Sequence, residues 1–208
     1  MSSQERFLDA IADESARMGR LVGDLLDFSA IDTGTLRLVP DWCEIGLVLE
    51  AARRCVSDAP TTIDLGENAY LLAVWADHDR LEQVFVNLFD NAIRHGGSLT
   101  QIVVTVQADP SANTVTVVVS DDGDGIPHEL VDRMFLPHER GVTAGPGAGL
   151  GLAIARGIVD AHGGRIELQP AECGTTIAVT LPIEPPPNAP LAPAFEPIVE
   201  SSVEAAAP

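Results

Sequence analysis

Basic residues are scarce in this sequence: 12 lysines and arginines stand against 31 aspartates and glutamates, for a formal net charge of −19. A surface this acidic repels nucleic acids, so the charge disfavours a DNA- or RNA-binding function. The charge does not exclude an anionic ligand that is held locally by backbone N–H groups and a few arginines. Such a ligand would bind against the field of the whole protein.

Cysteines and long apolar runs are scarce as well. The three cysteines, Cys43, Cys55 and Cys173, are odd in number and have no metal-binding spacing, so we expect reduced thiols in a cytosolic protein. No apolar run reaches the length of a membrane span, and the polar start of the chain lacks the apolar region of a signal peptide. These absences predict a cytoplasmic chain without a membrane segment.

The chain begins with a long amphipathic segment. Residues 4–31 are predicted to form one helix whose apolar side chains recur at steps of three and four, interrupted at Glu14: Phe7, Ile11, Met18, Leu21, Leu25 and Phe28. With Val22 and Leu26, this seam is wide enough to pack in a helical bundle. The alternative is a helix that lies on its own domain, and the length of the seam favours the bundle.

Short strands and helices follow. We predict strands at 35–39, 62–65, 72–75, 101–107, 114–120, 165–169 and 175–181, and helices at 43–57, 77–95 and 150–162. This order predicts an α+β fold, a two-layer α/β sandwich whose mixed, mostly antiparallel sheet is covered on one face by about three helices. Residues 184–208 are rich in proline and alanine, without periodicity, and are predicted to be a disordered tail.

The segment DDGDGIP, residues 121–127, is the first candidate site. Asp121 ends a valine-rich strand, and Gly123 and Gly125 follow at alternate positions. Glycine permits positive φ and lets a ligand approach the backbone, while a carboxylate at a strand end can accept a hydrogen bond from an exocyclic amine. Taken alone, an ordinary turn is the commoner explanation of such a segment.

A second glycine-rich segment, GPGAGLGLAI, covers residues 145–154. Its glycines Gly147, Gly149 and Gly151 precede and open a predicted helix, and unpaired N–H groups at a helix start bind phosphate. It is neither a Walker loop, since no Gly-Lys-Ser/Thr follows, nor a convincing Rossmann fingerprint, since a long loop precedes it. In isolation, a phosphate site and a flexible hinge are equal alternatives.

The third candidate is the helix at 77–95. Asn87 and Asn91 share one face, and Arg94 and His95 follow at helical spacing. An amide oxygen is a suitable neutral ligand for Mg²⁺, which shares its coordination with substrate phosphates. The alternative is a solvated polar stripe in which Arg94 is a surface charge.

Together and in this order, these segments resemble the catalytic domain of sensor histidine kinases, within the superfamily that includes gyrase, the heat-shock chaperone ATPases and MutL. NLFDNAIRHG looks like the N box of that family, DDGDGIP like its G1 box, MFLPHERG (134–141) like its F box and GAGLGLAIARGIVDAHGG like its G2 box. The resemblance covers about residues 14–182. It implies an ATP-binding catalytic domain at 35–183, preceded at 1–34 by the second helix of an incomplete dimerisation bundle.

The resemblance implies ATP and Mg²⁺ as cofactors. Asp121 would accept a hydrogen bond from the adenine amino group, and the ring would be seated by Gly123, Gly125 and Ile126. The other implied nucleotide contacts are the glycines of the closing lid and their neighbours: Gly147, Gly149, Leu150, Gly151 and Leu152. Arg140, at the end of the F box, would reach the γ-phosphate or the bundle.

The resemblance also implies the catalytic residues, which are Asn87, Asn91 and Arg94. Asn91, with Asn87, would hold Mg²⁺ on the phosphates; Arg94 replaces the usual lysine, and His95 stands where tyrosine or histidine is common. Both should face the phosphates or the ribose. The F box departs from the family because His138 stands where a second phenylalanine is usual, and the lid at about 133–147 is short.

The family's phosphoacceptor histidine has no counterpart here, because none of the five histidines lies in the expected sequence context: His78, His95, His128, His138 and His162. The resemblance therefore implies a protein-histidine kinase that is inactive alone and acts on a histidine from a missing segment or a partner kinase chain. A downstream response regulator and a dimer through the N-terminal helix are the other implied partners. Association with a membrane-bound sensor stays open.

Three other functions compete with the kinase assignment. ATP-hydrolysing machines of the superfamily typically carry a glutamate at the position of Asn87 to activate water, which an amide cannot do. A serine-kinase anti-sigma factor fails on the same residue. A non-catalytic nucleotide-binding module that dimerises with a kinase stays as the alternative, supported by the missing histidine and opposed by the intact nucleotide motifs.

Overall fold

The computed structural model describes residues 3–56, 62–66, 72–95, 101–137, 149–171 and 173–183. Four helices lie within these ranges: α1 (Ser3–Asp32), α2 (Ile45–Cys55), α3 (His78–His95) and α4 (Gly151–Ala161). The seven strands there are β1 (Asp41–Glu44), β2 (Thr62–Leu65), β3 (Ala73–Ala76), β4 (Gln101–Asp109), β5 (Thr114–Asp121), β6 (Arg165–Gln169) and β7 (Thr176–Pro182). A short 3₁₀ turn covers His128–Leu130.

The main sheet has five strands in the order β2-β4-β5-β7-β6. Only the β2–β4 pair is parallel, so the predicted mixed, mostly antiparallel sheet is confirmed. Strands β1 and β3 form a separate antiparallel pair. The order matters for the site because β7 lies directly beside β5, although more than fifty residues separate them in the chain.

The core lies between this sheet and helices α2, α3 and α4. Alternate valines and isoleucines of β4 and β5 are buried, as the period of a strand with one covered face requires. Helix α3 packs between α2 and α4 and buries its apolar stripe on the sheet side: Leu81, Val84, Phe85, Leu88, Phe89 and Ala92. The opposite face of α3 is thus left for polar side chains.

The strand predicted at residues 35–39 is wrong. This segment turns back over the end of α1, where Thr35 and Leu36 donate backbone hydrogen bonds to the carbonyl of Ala30. The backbone N–H of Val39 donates to the carboxylate of Asp77 at 2.8 Å, so no neighbouring strand takes it. The strand starts instead at Asp41, and α2 begins at Ile45, two residues later than predicted.

Helix α1 has the predicted length but two different environments. Its last turns lie on the rest of the molecule, since Phe28 and Ile31 pack against the core. Several apolar side chains nearer its start are more than half exposed: Phe7, Met18, Val22, Leu25 and Leu26. Packing of this seam in a bundle stays a prediction, as do the domain limits, and the tail at 184–208 lies outside the described residues.

Candidate functional site

Asp121 lies at the end of β5 with its carboxylate held by the main chain. Its Oδ1 accepts hydrogen bonds from the backbone N–H groups of Gly123 at 3.0 Å and Thr175 at 3.1 Å. The backbone N–H of Asp121 donates in turn to the carbonyl of Thr175 at 2.9 Å. Within the described ranges Oδ2 accepts no hydrogen bond, so this oxygen is oriented and available to a ligand donor.

The main chain of the turn between β6 and β7 packs directly against Asp121. Gly174 has φ of +67°, and a Cβ built on it would overlap the main-chain oxygen of Asp121 and lie 2.9 Å from its Oδ1. Gly125, with φ of +75°, approaches the same turn, since its Cβ would lie 3.0 Å from the carbonyl oxygen of Gly174. Because Gly125 and Gly174 have no side chains, the Asp121 loop and the β6–β7 turn can pack this closely; a side chain at either position would force them apart.

Sequence reasoning missed Gly174 and Thr175 as site residues. The signal in the sequence is a Cys-Gly-Thr-Thr turn between two predicted strands, which is common in hairpins and points to no ligand. Only the pairing of β5 with β7 brings this turn to Asp121.

Asn87 and Asn91 lie one turn apart on α3, as predicted, and both are partly buried. The start of α4 lies against Asn87: a Cβ on Gly151 would sit 3.4 Å from Asn87 Oδ1. The Nδ2 atom of Asn87 is buried and has no hydrogen-bond partner among the described residues. A buried donor without a partner costs about 1–3 kcal/mol, so the position of this amide nitrogen does not contribute to stability.

The start of α4 has the geometry that the glycine-rich segment predicts. Gly149 has φ of +68°, Leu150 is buried, Leu152 packs against the core, and α4 begins at Gly151 without a side-chain cap at Leu150. The first N–H groups of an uncapped helix can therefore donate to an anion. Two of the predicted contacts, Arg140 and Gly147, lie outside the described residues.

Arg94 and His95 lie at the exposed C-terminal end of α3. Arg94 Nη2 is 2.8 Å from Asp90 Oδ2 one turn earlier, and both side chains are nearly half exposed. Ion pairs this exposed contribute about 0–1 kcal/mol, so an anion can compete with Asp90 for the guanidinium. Ile126, which follows the Asp121 loop, packs against the core and is placed to form one wall of the site.

The described residues hold no cluster of three or more histidine, cysteine or acidic side chains that could bind a metal by themselves. A magnesium ion would therefore depend on the phosphates of a ligand, with the Asn91 and Asn87 amide oxygens as hard neutral donors. The amides on α3 and the helix start facing them fit that arrangement.

Asp77 joins the beginning of α3 to the end of α4. Its Oδ1 accepts from the backbone N–H of Arg80 at 3.1 Å and caps the helix, while its own N–H donates to His162 Nε2 at 3.0 Å. His162 Nδ1 in turn donates to the carbonyl of Ile158 at 2.8 Å, which defines a neutral ring. Burial lowers the pKa of His162, against the opposing effects of the Ile158 carbonyl and the Asp77 charge.

A mixed sheet covered by three helices thus carries a carboxylate at the end of β5 and an amide-bearing helix, α3, that faces the glycine start of α4. Residues 76–185, just over half of the chain, match the family described as histidine kinase-, DNA gyrase B- and HSP90-like ATPase. The chain belongs to this family.

The relatives of the chain are sensor kinases. It is 33% identical over 186 residues to the sensor protein kinase WalK of Staphylococcus aureus (strain MRSA252), a match that covers 86% of this chain and 31% of the relative. The solved catalytic domain of the histidine kinase ThkA is 28% identical with a TM-score of 0.61, covering 71% of this chain and 99% of that one. Full-length ShkA in complex with AMPPNP, at 24% identity, has the same fold, with a TM-score of 0.72 over 88% of this chain and 39% of ShkA.

The chain spans between 31% and 45% of the length of the curated relatives it matches. Across the part of the chain that the structure describes, no helix combines the length and the apolar character that a membrane crossing needs.

Proposed function

We propose that this chain is the ATP-binding catalytic part of a two-component sensor histidine kinase. It binds ATP·Mg²⁺ and transfers the γ-phosphoryl group to a histidine on another segment or on a partner kinase chain. The observation that carries the proposal is the placement of Asn87: its Oδ1 faces the uncapped start of α4, and its buried Nδ2 has no hydrogen-bond partner among the described residues.

The adenine end of the site is the Asp121 loop. The free Oδ2 of Asp121 accepts a hydrogen bond from the exocyclic amino group, while Gly123 and Gly125 leave room for the ring. Because Oδ1 is held by two backbone donors, the carboxylate does not need to reorganise on binding. This arrangement selects a nucleobase that carries a hydrogen-bond donor, such as the amino group of adenine, on the edge that faces Asp121.

The phosphate end lies between α3 and α4. The N–H groups at Gly151 and Leu152 and the amides of Asn87 and Asn91 would hold the phosphates, and the guanidinium of Arg94 would bind them from the exposed end of α3. Magnesium, when bound, neutralises phosphate charge. The protein residues orient the nucleotide, and positioning with charge neutralisation accounts for most catalysis of phosphoryl transfer.

The phosphoryl acceptor needs no strong base. A neutral imidazole nitrogen attacks the γ-phosphorus, the bond to the β–γ bridging oxygen breaks, and ADP leaves with its electron pair. ATP-hydrolysing members of the superfamily typically carry a glutamate at the position of Asn87, and an amide cannot accept the proton of an attacking water. The amide thus favours transfer to a histidine over hydrolysis.

The proposal includes two protein partners. ThkA has been solved in complex with the response regulator TrrA, and we expect a response regulator to receive the phosphoryl group here as well. The exposed apolar side chains of α1 support dimerisation through this helix. A cytoplasmic location stays a prediction.

The test is nucleotide binding followed by transfer. We expect AMPPNP with Mg²⁺ to bind the wild-type chain by calorimetry, and Asp121→Ala to weaken binding at least tenfold, as loss of a charge-assisted hydrogen bond of about 1.5–3 kcal/mol implies. Asp64→Ala, which removes an exposed acid from β2 in the same sheet, is the matched control. Absence of binding to the wild type would refute the proposal.

The second step uses ATP and a separate histidine-bearing helical bundle. An acid-labile phosphate on the bundle supports the kinase. Tight ATP binding without any transferred phosphate would favour the alternative, a nucleotide-binding module that dimerises with a kinase.

A further inference from the structure

The segment that connects α1 to β1, residues 33–40, is fastened to the domain near its end by one carboxylate. The Val39 N–H donates to Asp77 Oδ2 at 2.8 Å, while the Val39 side chain is 80% exposed. Burial therefore contributes little to holding this residue, and the hydrogen bond to Asp77 is what fixes it. Asp77 itself is buried, so its carboxylate is a firm point of attachment.

The ring of His162, at the C-terminal end of α4, holds Asp77 from the other side. The Asp77 N–H donates to His162 Nε2 at 3.0 Å, and His162 Nδ1 donates to the Ile158 carbonyl at 2.8 Å. A continuous series of hydrogen bonds thus joins the Ile158 carbonyl, the His162 ring, Asp77 and the Val39 N–H. We call this series the His162 latch.

The latch requires one protonation state of the ring. A neutral imidazole that carries its proton on Nδ1 accepts at Nε2, whereas an imidazolium carries a proton on both nitrogens and accepts at neither. When a proton from solvent binds the Nε2 lone pair, the Asp77 N–H loses its acceptor and faces a second N–H. The imidazolium also attracts the Asp77 carboxylate, and turning Oδ2 toward this new donor takes it away from the Val39 N–H.

We propose that the His162 latch is an acid-sensitive device, which holds the connecting segment to the domain while the ring is neutral and releases it when the ring is protonated. The inference goes beyond the proposed function and does not depend on the nucleotide site, because none of the latch residues is among the proposed nucleotide contacts.

The charges around the ring leave His162 in control of the latch. Burial lowers its pKa, and among the described residues only the charge of Asp77 acts on that pKa, in the opposite direction. The other titratable groups on the surrounding elements are Arg37 in the connecting segment, Asp41 on β1, His78 and Asp79 at the start of α3, Asp160 on α4 and Arg165 on β6.

The direction of the pH effect follows from linkage. The closed latch disfavours the proton, so opening the latch binds one. A released ring has an ordinary pKa near 6.5, and opening therefore becomes easier as the pH falls below about that value. Uptake of one proton raises the opening equilibrium by at most about tenfold per pH unit, until the lowered pKa of the closed state is reached.

Amide hydrogen exchange, followed by NMR in the whole chain, measures the latch residue by residue. Protection factors are corrected for the pH dependence of exchange in an unstructured peptide. We expect those of the Val39 and Asp77 N–H groups to fall by up to about tenfold per pH unit below about pH 6.5. The Asp121 N–H, which donates to the Thr175 carbonyl at the other end of β5, should keep its protection.

Two variants assign the effect to one ring. His162→Gln keeps an acceptor for the Asp77 N–H and does not take up a proton, so the protection of Val39 should become independent of pH. The matched control is His78→Gln, which removes a half-exposed histidine directly beside Asp77. This control should leave the pH dependence of Val39 as in the wild type.

Every outcome decides for or against the latch. Protection of Val39 that does not change with pH refutes it, and so does a pH dependence that persists in His162→Gln. An equal loss of protection at Asp121 would show that acid unfolds the whole domain, which refutes a local opening. If His162→Gln does not fold, the wild type decides: the fall at Val39 must level off at the pH where the His162 ring titrates by NMR.

Discussion

Gly174→Ala should damage the adenine end of the site through the backbone. A methyl group at this position would overlap the main-chain oxygen of Asp121, and alanine would have to adopt φ of +67°. The left-handed conformation alone costs about 1–2 kcal/mol for an alanine. The collision adds to this cost, because the atoms it meets belong to the backbone and cannot rotate away.

The expected result is a loss of nucleotide affinity together with a loss of stability. The turn must move away from β5, which breaks the hydrogen bonds between Thr175 and Asp121 and leaves the Gly123 N–H to hold Oδ1. We expect the less firmly oriented carboxylate to weaken AMPPNP binding about tenfold by calorimetry. Urea unfolding of the same variant gives the change in stability.

Gly163→Ala separates the collision from the backbone strain. Gly163 also has positive φ, of +72°, but a Cβ there would meet nothing within 4 Å. This control should lose about 1–2 kcal/mol of stability and bind AMPPNP normally. Equal nucleotide affinity in Gly174→Ala and Gly163→Ala would refute the reasoning that the close approach of Gly174 positions Asp121.

Three further substitutions test other parts of the site. Asn87→Leu should raise the free energy of unfolding in urea by up to about 1 kcal/mol, because it removes a buried amide nitrogen that has no partner among the described residues. The same substitution should abolish AMPPNP binding. A large loss of stability would contradict the argument that this amide is unsatisfied. His162 has a lowered pKa in the folded protein, so the unfolded chain binds its proton first, and stability should fall as the pH drops below about 6.5. The slope of unfolding free energy against pH should flatten in His162→Gln, and an unchanged slope would assign it to other groups. Asp77→Ala should cost about 2–3 kcal/mol in urea unfolding, because it removes the cap of α3 and the acceptor of the Val39 N–H; a loss under 0.5 kcal/mol would show that water replaces both bonds.

Local pattern was enough for most elements of the fold. The valines of β4 and β5 alternate, and α3 repeats its apolar residues at helical spacing, so both periods could be predicted from neighbouring residues. The short strand beginning at Asp41 was misplaced because the alternating run before it, residues 35–39, has no strand to pair with. Pairing depends on distant segments, which a local pattern does not contain.

Local sequence was sufficient to predict most of the secondary structure and the order of the motif segments, because both depend on residues close together in the chain. It also determined that Asn87 and Asn91 share a helix face and that glycines open α4. What these groups contact depends on the tertiary structure: the turn at Gly174 holds the Asp121 carboxylate, Asn87 faces the start of α4, and Asp27 contacts α3. Each of these contacts joins residues more than fifty positions apart, and strand order and helix packing bring them together.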